Sequence, residues 1–179
     1  MGLSHEMQVG LADEAMARAA DMHAPGADGQ VAPQEHNNIG VFKKAGIPGG
    51  GGYATARGMA AFYQMMLAGG TIGGNRVVGP RTLAYAIRNW TGDMFDHAMN
   101  QPMHRGLGPH LRGTTPTIRG LGAFASPTTF GHGGAGNSYC WADPDSGVSF
   151  AYLTNCRQPD PWHSQRLDVV SNLVHSAIV

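Results

Sequence analysis

The amino-acid sequence predicts an α+β fold in which helices flank an antiparallel sheet. Apolar residues recur at helical spacing in two places, over 56–67 and again beyond Ser164. Between them, two strand-like segments, 128–142 and 147–155, are separated by a turn sequence typical of a hairpin. The chain of 179 residues is long enough for one domain with a hydrophobic core, and its 27 glycines favour a turn-rich architecture over a helical bundle.

The first third of the chain contains one strongly predicted helix. A short helical patch is expected over Asp13–Ala20, and residues 23–52 are expected to be irregular because they are rich in Gly, Pro and Asn. Thr55 is suited to N-cap a helix over 56–67. The pair Gly69-Gly70 is suited to end that helix through a left-handed C-cap.

Residues 71–127 carry weaker signals. Thr71–Val78 predicts a short hairpin around Gly73-Gly74-Asn75, and Pro80 is well placed at the first position of a second helix. The inner face of that helix is predicted to consist of Leu83, Ala86, Ile87 and Trp90. One short strand is expected near 105–111.

Phe130–Asn137 is the most informative stretch of the chain because its side chains are mostly small or absent. Glycines let a substrate approach the backbone closely where bulky residues would block it. A backbone N–H at such a place can serve as one arm of an oxyanion hole. After the second strand, Ser164 is predicted to cap a final helix whose apolar stripe consists of Leu167, Val170, Leu173, Val174, Ala177 and Ile178.

Composition argues against several classes of partner. The formal net charge is zero and no basic stripe is present, so nucleic acid is not an expected partner. No apolar run approaches the ~20 residues that a membrane-spanning helix needs. Residues 1–20 show no secretory signal pattern, and the compartment stays undetermined. The spacing of His97, His104 and His110 matches no common zinc pattern, so no metal and no other cofactor is expected.

The two cysteines, Cys140 and Cys156, are expected to be free thiols. A hairpin centred on 143–147 pairs Cys140 with about Phe150. Cys156 then falls roughly 20 Å further along the ladder at ~3.3 Å per residue. A disulfide tolerates a Cα separation of only about 7 Å.

His132-Gly133-Gly134 resembles the third active-site motif of the serine β-lactamase and penicillin-binding-protein superfamily. It looks most like the esterase branch, in which His-Gly-Gly replaces Lys-Thr-Gly. Other passages are similar to the superfamily in the same order along the chain, namely those at Met1–Leu11, Gly49–Gly70 and Val77–Thr82. The resemblance implies the C-terminal portion of a β-lactamase/transpeptidase-like fold, in a single domain over residues 1–179.

The same resemblance implies a catalytic wall made of His132, Gly133, Gly134 and Ala135. The Ala135 N–H would be the second oxyanion donor, and Gly134 would let substrate lie beside the strand. His132 stands where the superfamily has a lysine. Because histidine carries less positive charge than lysine at neutral pH, a neutral ester or amide substrate is favoured.

Gly51, Gly52 and Tyr53 would belong to the substrate-binding rim, with Tyr53 within reach of substrate. A phosphate-binding loop is one alternative for the run Gly49–Tyr53, but it would need a lysine and a preceding strand that are absent. For Tyr53, a buried start to the following helix is the other alternative.

The residues that carry nucleophilic attack in that superfamily are missing from this sequence. Its two lysines, Lys43 and Lys44, follow Gly40 and Val41 by three positions, so no Ser-x-x-Lys motif exists. No Tyr-x-Asn or Ser-x-Asn motif occurs either. We therefore expect a partial domain that lacks the N-terminal portion with both motifs and that is inactive alone.

Three interpretations of such a chain stay open: a fragment, one half of a split protein, or a non-catalytic binding domain that retains the pocket wall. The expected partners are a small-molecule ester or amide if the site is completed, the missing N-terminal half, and another copy through self-association. A self-contained triad of Ser138, His132 and Asp143 is disfavoured because the sequence has no Gly-x-Ser-x-Gly elbow.

Overall fold

The computed structural model describes residues 2–115 and 120–178. Its helices are a 3₁₀ helix at Asp13–Arg18 and five α-helices: α1 Glu35–Asn38, α2 Gly40–Lys44, α3 Ala56–Leu67, α4 Pro80–Ala86 and α5 Trp162–Ser176. The strands are β1 Met7–Val9, β2 His23–Pro25, β3 Val31–Pro33, β4 Gly52–Ala54, β5 Thr71–Ile72, β6 Asn75–Arg76, β7 Phe95–Asp96, β8 Gln101–Pro102, β9 His104–Arg105, β10 His110–Leu111, β11 Phe130–Gly133, β12 Tyr139–Asp143 and β13 Val148–Tyr152.

Five strands form one antiparallel sheet, in the order β13-β12-β11-β10-β9. Helix α3 packs against β12 and β13 on one face, and α5 packs on the other. The remaining strands form two-stranded pairs, β1 with β4, β2 with β3, β5 with β6 and β7 with β8. This layered arrangement confirms the predicted α+β class, with an antiparallel sheet flanked by helices.

β12 is the centre of the core because all five of its residues are buried. The cluster on its α3 face consists of Tyr63, Phe130, Cys140 and Ala142. The cluster on its α5 face consists of Leu121, Tyr139, Trp141 and Leu167. Successive side chains of a strand point to opposite faces, so a strand that is covered on both faces needs apolar or hydrogen-bonded residues at every position.

Helix α3 forms over the predicted residues because its local signals agree. The Thr55 hydroxyl accepts a hydrogen bond from the Gly58 N–H at 3.0 Å, which satisfies one of the free donors at the helix start. Gly69 and Gly70 then take φ values of 67° and 89°, a region that favours glycine, and end the helix as predicted.

The predicted long strand over 128–142 is wrong, because the chain reverses within it. β11 and β12 are separate antiparallel strands, joined by the loop 134–138. A hydrogen bond from the Gly134 N–H to the Ser138 carbonyl closes this loop at 2.9 Å, and Gly136 takes a φ of 82°. The single strand expected near 105–111 is likewise two strands, β9 and β10, which pair with each other.

Helix α5 differs from the prediction in its start and in its buried face. It begins at Trp162, and Ser164 donates to the Asp160 carboxylate rather than acting as the cap residue. Its buried residues are His163, Leu167, Ser171 and His175. Leu173, predicted to face inward, is 65% exposed. Polar side chains occupy the inner face because they hydrogen-bond to the core, as described below.

Smaller differences concern the rest of the chain. The helical patch expected over 13–20 is the shorter 3₁₀ helix, and the segment expected to be irregular contains β2, β3 and two short helices. Trp90, predicted on the inner face of α4, lies beyond that helix and packs on Tyr85 at a ring-centroid distance of 4.6 Å. None of the helices in ranges 2–115 and 120–178 is long and apolar enough to cross a membrane.

Both cysteines are free thiols, as predicted. Cys140 pairs with Ala151 across the hairpin, one residue from the position expected. Cys156 lies beyond β13, where it forms an isolated parallel bridge with His23. Cys140 therefore lies within the central sheet and Cys156 lies outside it.

Candidate functional site

The end of β11 and the loop 134–138 place one backbone N–H in an exposed turn. The Gly136 N–H donates to the Gly134 carbonyl at 2.8 Å, so Ala135 is the central residue of a three-residue turn. Among the described residues, Asn100 is the one non-glycine residue with a positive φ, so Ala135 has a negative φ. A three-residue turn with a negative central φ is an inverse γ-turn.

The Ala135 N–H is available to a ligand. Ala135 is exposed, and across 2–115 and 120–178 its N–H makes no hydrogen bond. The flanking N–H groups of Gly134 and Gly136 are both committed to carbonyls within the loop. The turn therefore leaves the Ala135 N–H as a donor at the end of the strand.

The side of β11 that faces β10 is open at this point. β10 pairs with β11 only through His110 with Gly131 and Leu111 with Phe130. From His132 onward, the described residues leave that edge without a strand partner. The sequence prediction that substrate lies beside His132–Ala135 concerns this unpaired edge.

The segment that follows β13 holds the loop 134–138 through hydrogen bonds. Arg157 Nε donates to the Ala135 carbonyl at 2.8 Å, and the Gln158 N–H donates to the Gly136 carbonyl at 2.7 Å. The Thr154 hydroxyl donates to the Asn137 carbonyl at 2.6 Å. Three bonds from one short segment thus hold the carbonyls of the loop that follow the Ala135 N–H, and no sequence motif pointed to them.

His132 is exposed at the mouth of this turn. Its Nδ1 lies 2.8 Å from the Gly133 carbonyl, and because a carbonyl can only accept, Nδ1 carries a proton. The ring lies 4.6 Å from that of His110, whose Nδ1 is 3.1 Å from the Tyr139 hydroxyl. His110 is buried and contacts the predicted catalytic residue, although the sequence suggested it only as a member of a loose histidine group.

Helix α3 also contributes to the position of His132. The Tyr63 ring packs near that of Phe130, two residues before His132 on β11, with ring centroids 6.1 Å apart. Burial raises the pKa of Tyr63 far above its ordinary value, so its hydroxyl stays protonated at any physiological pH. The helix that the sequence predicted best is therefore one of the elements that hold the wall.

The predicted rim, Gly51, Gly52 and Tyr53, is built on the pairing of β4 with β1. Tyr53 lies opposite Gln8 in this pair and is half-buried. Its burial therefore lies between that of a residue exposed to substrate and that of a buried start to the following helix, the two alternatives that the sequence left open. Burial raises the pKa of Tyr53, and the positive charge of Lys43 opposes the shift. Gly51 is required by packing, since a Cβ there would lie 2.6 Å from the Ile47 backbone nitrogen.

Lys43 is a buried cation beside this rim that sequence reasoning missed. It is 7% exposed, and its Nζ lies 2.7 Å from the Asp21 carboxylate. The hydrogen bond and charge of Lys43 lower the pKa of Asp21. The sequence drew attention to Lys43 only as a possible lysine of a Ser-x-x-Lys motif, and Gly40 stands where that motif needs a serine.

The rim and the wall are connected through one hydrogen-bonded segment rather than by direct contact. The Asn155 side chain donates to the Asp21 carbonyl at 3.0 Å, and the Asn155 carbonyl accepts from the His23 N–H at 2.8 Å. The Arg157 N–H in turn donates to the His23 carbonyl at 2.8 Å. Residues 21–23 therefore extend from the Lys43 side of the rim to the residues that hold the loop 134–138.

A scan against protein-family models matches residues 4–172 to the family described as Beta-lactamase. The chain belongs to the β-lactamase family. A Mycobacterium tuberculosis protein named esterase/beta-lactamase LipL is 33% identical over 111 residues, which cover 62% of this chain and 24% of that protein. The chain thus spans about a quarter of the length of this curated relative.

Solved structures show the same fold over nearly the whole chain. A penicillin-binding-protein homologue from Caulobacter crescentus has a TM-score of 0.72 at 25% identity, and the match covers 96% of this chain and 48% of that one. A family VIII carboxylesterase has a TM-score of 0.75 at 24% identity and covers 95% of this chain and 47% of its own. These comparisons confirm the predicted β-lactamase/transpeptidase-like fold, and the chain spans about half the length of these structures.

Two other arrangements are not assembled in this β-lactamase-family chain. Ser138 donates to the neighbouring Asn137 side chain, whereas Asp143 lies at the far end of β12 and accepts from Ser126 and Ser146. Ser138, His132 and Asp143 therefore do not form a triad. Within the described ranges, no group of three or more His, Cys, Asp or Glu residues is placed to hold a metal ion.

Proposed function

We propose that this chain supplies the oxyanion-strand wall of a serine esterase that acts on neutral ester or amide bonds. The observation that carries the proposal is the N–H of Ala135, an exposed residue. This N–H makes no hydrogen bond among the described residues, and its peptide is held by the bond from the Gly136 N–H to the Gly134 carbonyl. The β-lactamase family membership and the relative named as an esterase support this reaction class.

The reaction requires that negative charge on a carbonyl oxygen be stabilised as a serine hydroxyl attacks the carbonyl carbon. The alcohol then leaves with a proton, and water releases the acid from the acyl-serine. A preorganised N–H that points at the developing oxyanion lowers the barrier to the first step. Ala135 is suited to this role because its N–H has no hydrogen-bond acceptor among the described residues.

We further propose that the chain does not turn over esters by itself. Its sequence contains no Ser-x-x-Lys motif, and Ser138, the serine nearest the turn, is bonded to Asn137 rather than to a base. One oxyanion donor without a nucleophile has no covalent intermediate to stabilise. A polypeptide with the Ser-x-x-Lys and Tyr-x-Asn motifs would have to complete the site.

The first test measures p-nitrophenyl acetate hydrolysis by the purified chain. We expect a rate equal to that of a heat-denatured sample of the same preparation. Turnover that persists through a second purification step and disappears in the His132→Ala variant would refute the inactivity of the chain alone. Turnover that is unchanged in that variant would indicate a contaminating esterase.

The second test examines the oxyanion donor after completion of the site. The chain is fused behind the nucleophile-bearing half of the family VIII carboxylesterase, and ester turnover is compared between Ala135→Pro and Ala135→Ser. Proline fits an inverse γ-turn, whose central φ is about −75°, but it has no N–H. We expect Ala135→Pro to lower kcat about 10²- to 10³-fold and Ala135→Ser to keep it. Equal activities in the two variants would contradict the proposal.

A further inference from the structure

Arg157 places a positive charge against the loop that carries the candidate oxyanion donor. Its Nε donates a hydrogen bond to the Ala135 carbonyl at 2.8 Å. A hydrogen bond with an ionised donor is roughly twice as strong as one between neutral groups. The guanidinium therefore holds this carbonyl and also draws electron density toward its oxygen.

Two peptide groups stand in series between this guanidinium and the Ala135 N–H. The first joins Ala135 to Gly136: its carbonyl accepts from Arg157, and its N–H donates to the Gly134 carbonyl at 2.8 Å. The second joins Gly134 to Ala135, and its N–H is that of Ala135. Both peptides are trans, so the C=O and N–H of each point in opposite directions. The orientation of the first peptide therefore restricts that of the second.

Hydrogen bonds in such a series strengthen one another, because each polarises the peptide that follows. A positive charge on the Ala135 carbonyl makes the Gly136 N–H a better donor to the Gly134 carbonyl. That carbonyl is then more polarised, and the N–H at the other end of its peptide, that of Ala135, becomes a better donor in turn. The series therefore carries the effect of the guanidinium to the N–H that the proposed function assigns to the oxyanion.

The backbone that presents Arg157 is itself fixed. The Arg157 N–H donates to the His23 carbonyl on β2 at 2.8 Å, and the Gln158 N–H donates to the Gly136 carbonyl at 2.7 Å. Arg166 is a second cation near the loop, but its Nη2 lies 3.4 Å from the Gly136 carbonyl, which belongs to the peptide after the series. Arg157 is therefore the cation whose hydrogen bond enters the series.

We propose that Arg157 is a positioning residue for acyl transfer, which orients the Ala135 N–H and strengthens it as a donor through the two peptides. The inference rests on the proposed function, because the oxyanion forms only during acyl transfer. An interaction that acts only on the transition state changes kcat and leaves KM unchanged. Arg157 should therefore affect the rate of the chemical step and not the binding of the ester.

The first measurement is made on the chain itself, by the amide hydrogen exchange of Gly136 in nuclear magnetic resonance spectra. This N–H is protected by its bond to the Gly134 carbonyl. We expect Arg157→Met, which keeps a long side chain without a donor, to speed the exchange about 2- to 10-fold, the factor that corresponds to the net value of one hydrogen bond. Arg157→Lys should recover part of the protection. The control is Arg76→Met, at an exposed arginine of β6, which should leave the exchange rate unchanged.

The second measurement is ester turnover by the fusion with the nucleophile-bearing half of the family VIII carboxylesterase. We expect Arg157→Met to lower kcat about tenfold, which is less than the effect of Ala135→Pro, and to leave KM unchanged. Because Arg157 acts through the Ala135 N–H, Arg157→Met should cause no further decrease when it is added to Ala135→Pro. Arg76→Met should keep the kcat of the unchanged fusion.

The proposal is overturned if Arg157→Met leaves Gly136 exchange unchanged, or if it raises KM and not the barrier to turnover. Faster exchange with an unchanged kcat would show that Arg157 only stabilises the loop, and it would overturn the proposal as well. A further decrease in kcat on top of Ala135→Pro would show that Arg157 acts by another route. Failure of the proposed function would instead appear as an unchanged kcat in Ala135→Pro alone, so the two failures are distinguished.

Discussion

The Ser171→Ala substitution tests how α5 is held against the sheet. Ser171 is 2% exposed and bridges two buried groups. Its Oγ accepts a hydrogen bond from Trp141 Nε1 at 3.1 Å and donates one to the Gly120 carbonyl at 2.7 Å. Trp141 is fully buried, so its indole N–H has no access to water once the hydroxyl is removed.

The expected loss follows from these two contacts. A buried polar group left without its partner costs about 1–3 kcal/mol, and two groups are affected. We therefore expect the free energy of unfolding to fall by about 2–6 kcal/mol. With a urea dependence of about 2 kcal/mol per molar, the unfolding midpoint should fall by about 1–3 M.

Ser176→Ala is the matched control because it makes the same substitution in the same helix. Ser176 is exposed, and its hydroxyl donates to the Leu173 carbonyl one turn earlier. We expect a change within about 0.5 kcal/mol, and the small gain in helix propensity is common to both variants. Urea unfolding is followed by circular dichroism. If the two variants unfold within about 0.5 kcal/mol of each other, the assignment of Ser171 as the buried bridge is wrong.

Two further predictions use groups whose pKa is shifted. Burial raises the pKa of the Cys140 thiol to about 11, so at pH 8 a thiol reagent such as Ellman's should label Cys156 alone in the native chain and both thiols in denaturant. Two rapidly labelled thiols in the native chain would contradict this. Burial also lowers the pKa of His175, so the unfolded chain takes up a proton first as pH falls below about 6.5. The urea midpoint of unfolding should therefore decrease as the pH is lowered from 7.5 to 5.5, and His175→Gln should make this decrease smaller. A decrease of the same size in the variant would contradict the prediction.

The parts of the fold that sequence reasoning predicted well depend on local interactions. α3 was predicted to its ends because Thr55 caps it, Gly69 and Gly70 end it, and the apolar spacing between them is regular. The β12–β13 turn was also predicted, because the residues between the two strands are turn formers on their own. In each case the neighbours along the chain determine the structure.

The parts that were missed depend on contacts between distant residues. His163, Ser171 and His175 face inward on α5 because the core offers them partners, among them Trp141 and the Leu121 carbonyl. An apolar-stripe pattern cannot detect such positions, and it placed Leu173 inside. Arg157 was missed for the same reason, since its bond to the Ala135 carbonyl joins residues 22 positions apart.

The candidate site shows the same division. The sequence explained the glycines of the predicted wall by substrate access. In the structure, a Cβ at Gly133 would lie 2.7 Å from the Tyr139 ring, and a Cβ at Gly131 would lie 2.3 Å from the Cys140 carbonyl oxygen. These two glycines are therefore required by the packing of β11 on β12, whether or not a substrate binds.

The functional argument then rests on Ala135 rather than on the glycines beside it. Packing accounts for Gly131 and Gly133, and the loop's own hydrogen bonds account for Gly134, whose added Cβ would lie 2.4 Å from the Asn137 side chain. Nothing in the described structure bonds the Ala135 N–H, yet the turn bond to the Gly134 carbonyl holds its peptide and Arg157 holds the next one. A buried donor without an acceptor destabilises a fold, whereas an exposed donor can bind an oxyanion. Substituting Gly133 therefore tests the fold, whereas Ala135→Pro tests the chemistry, and the two effects are separable.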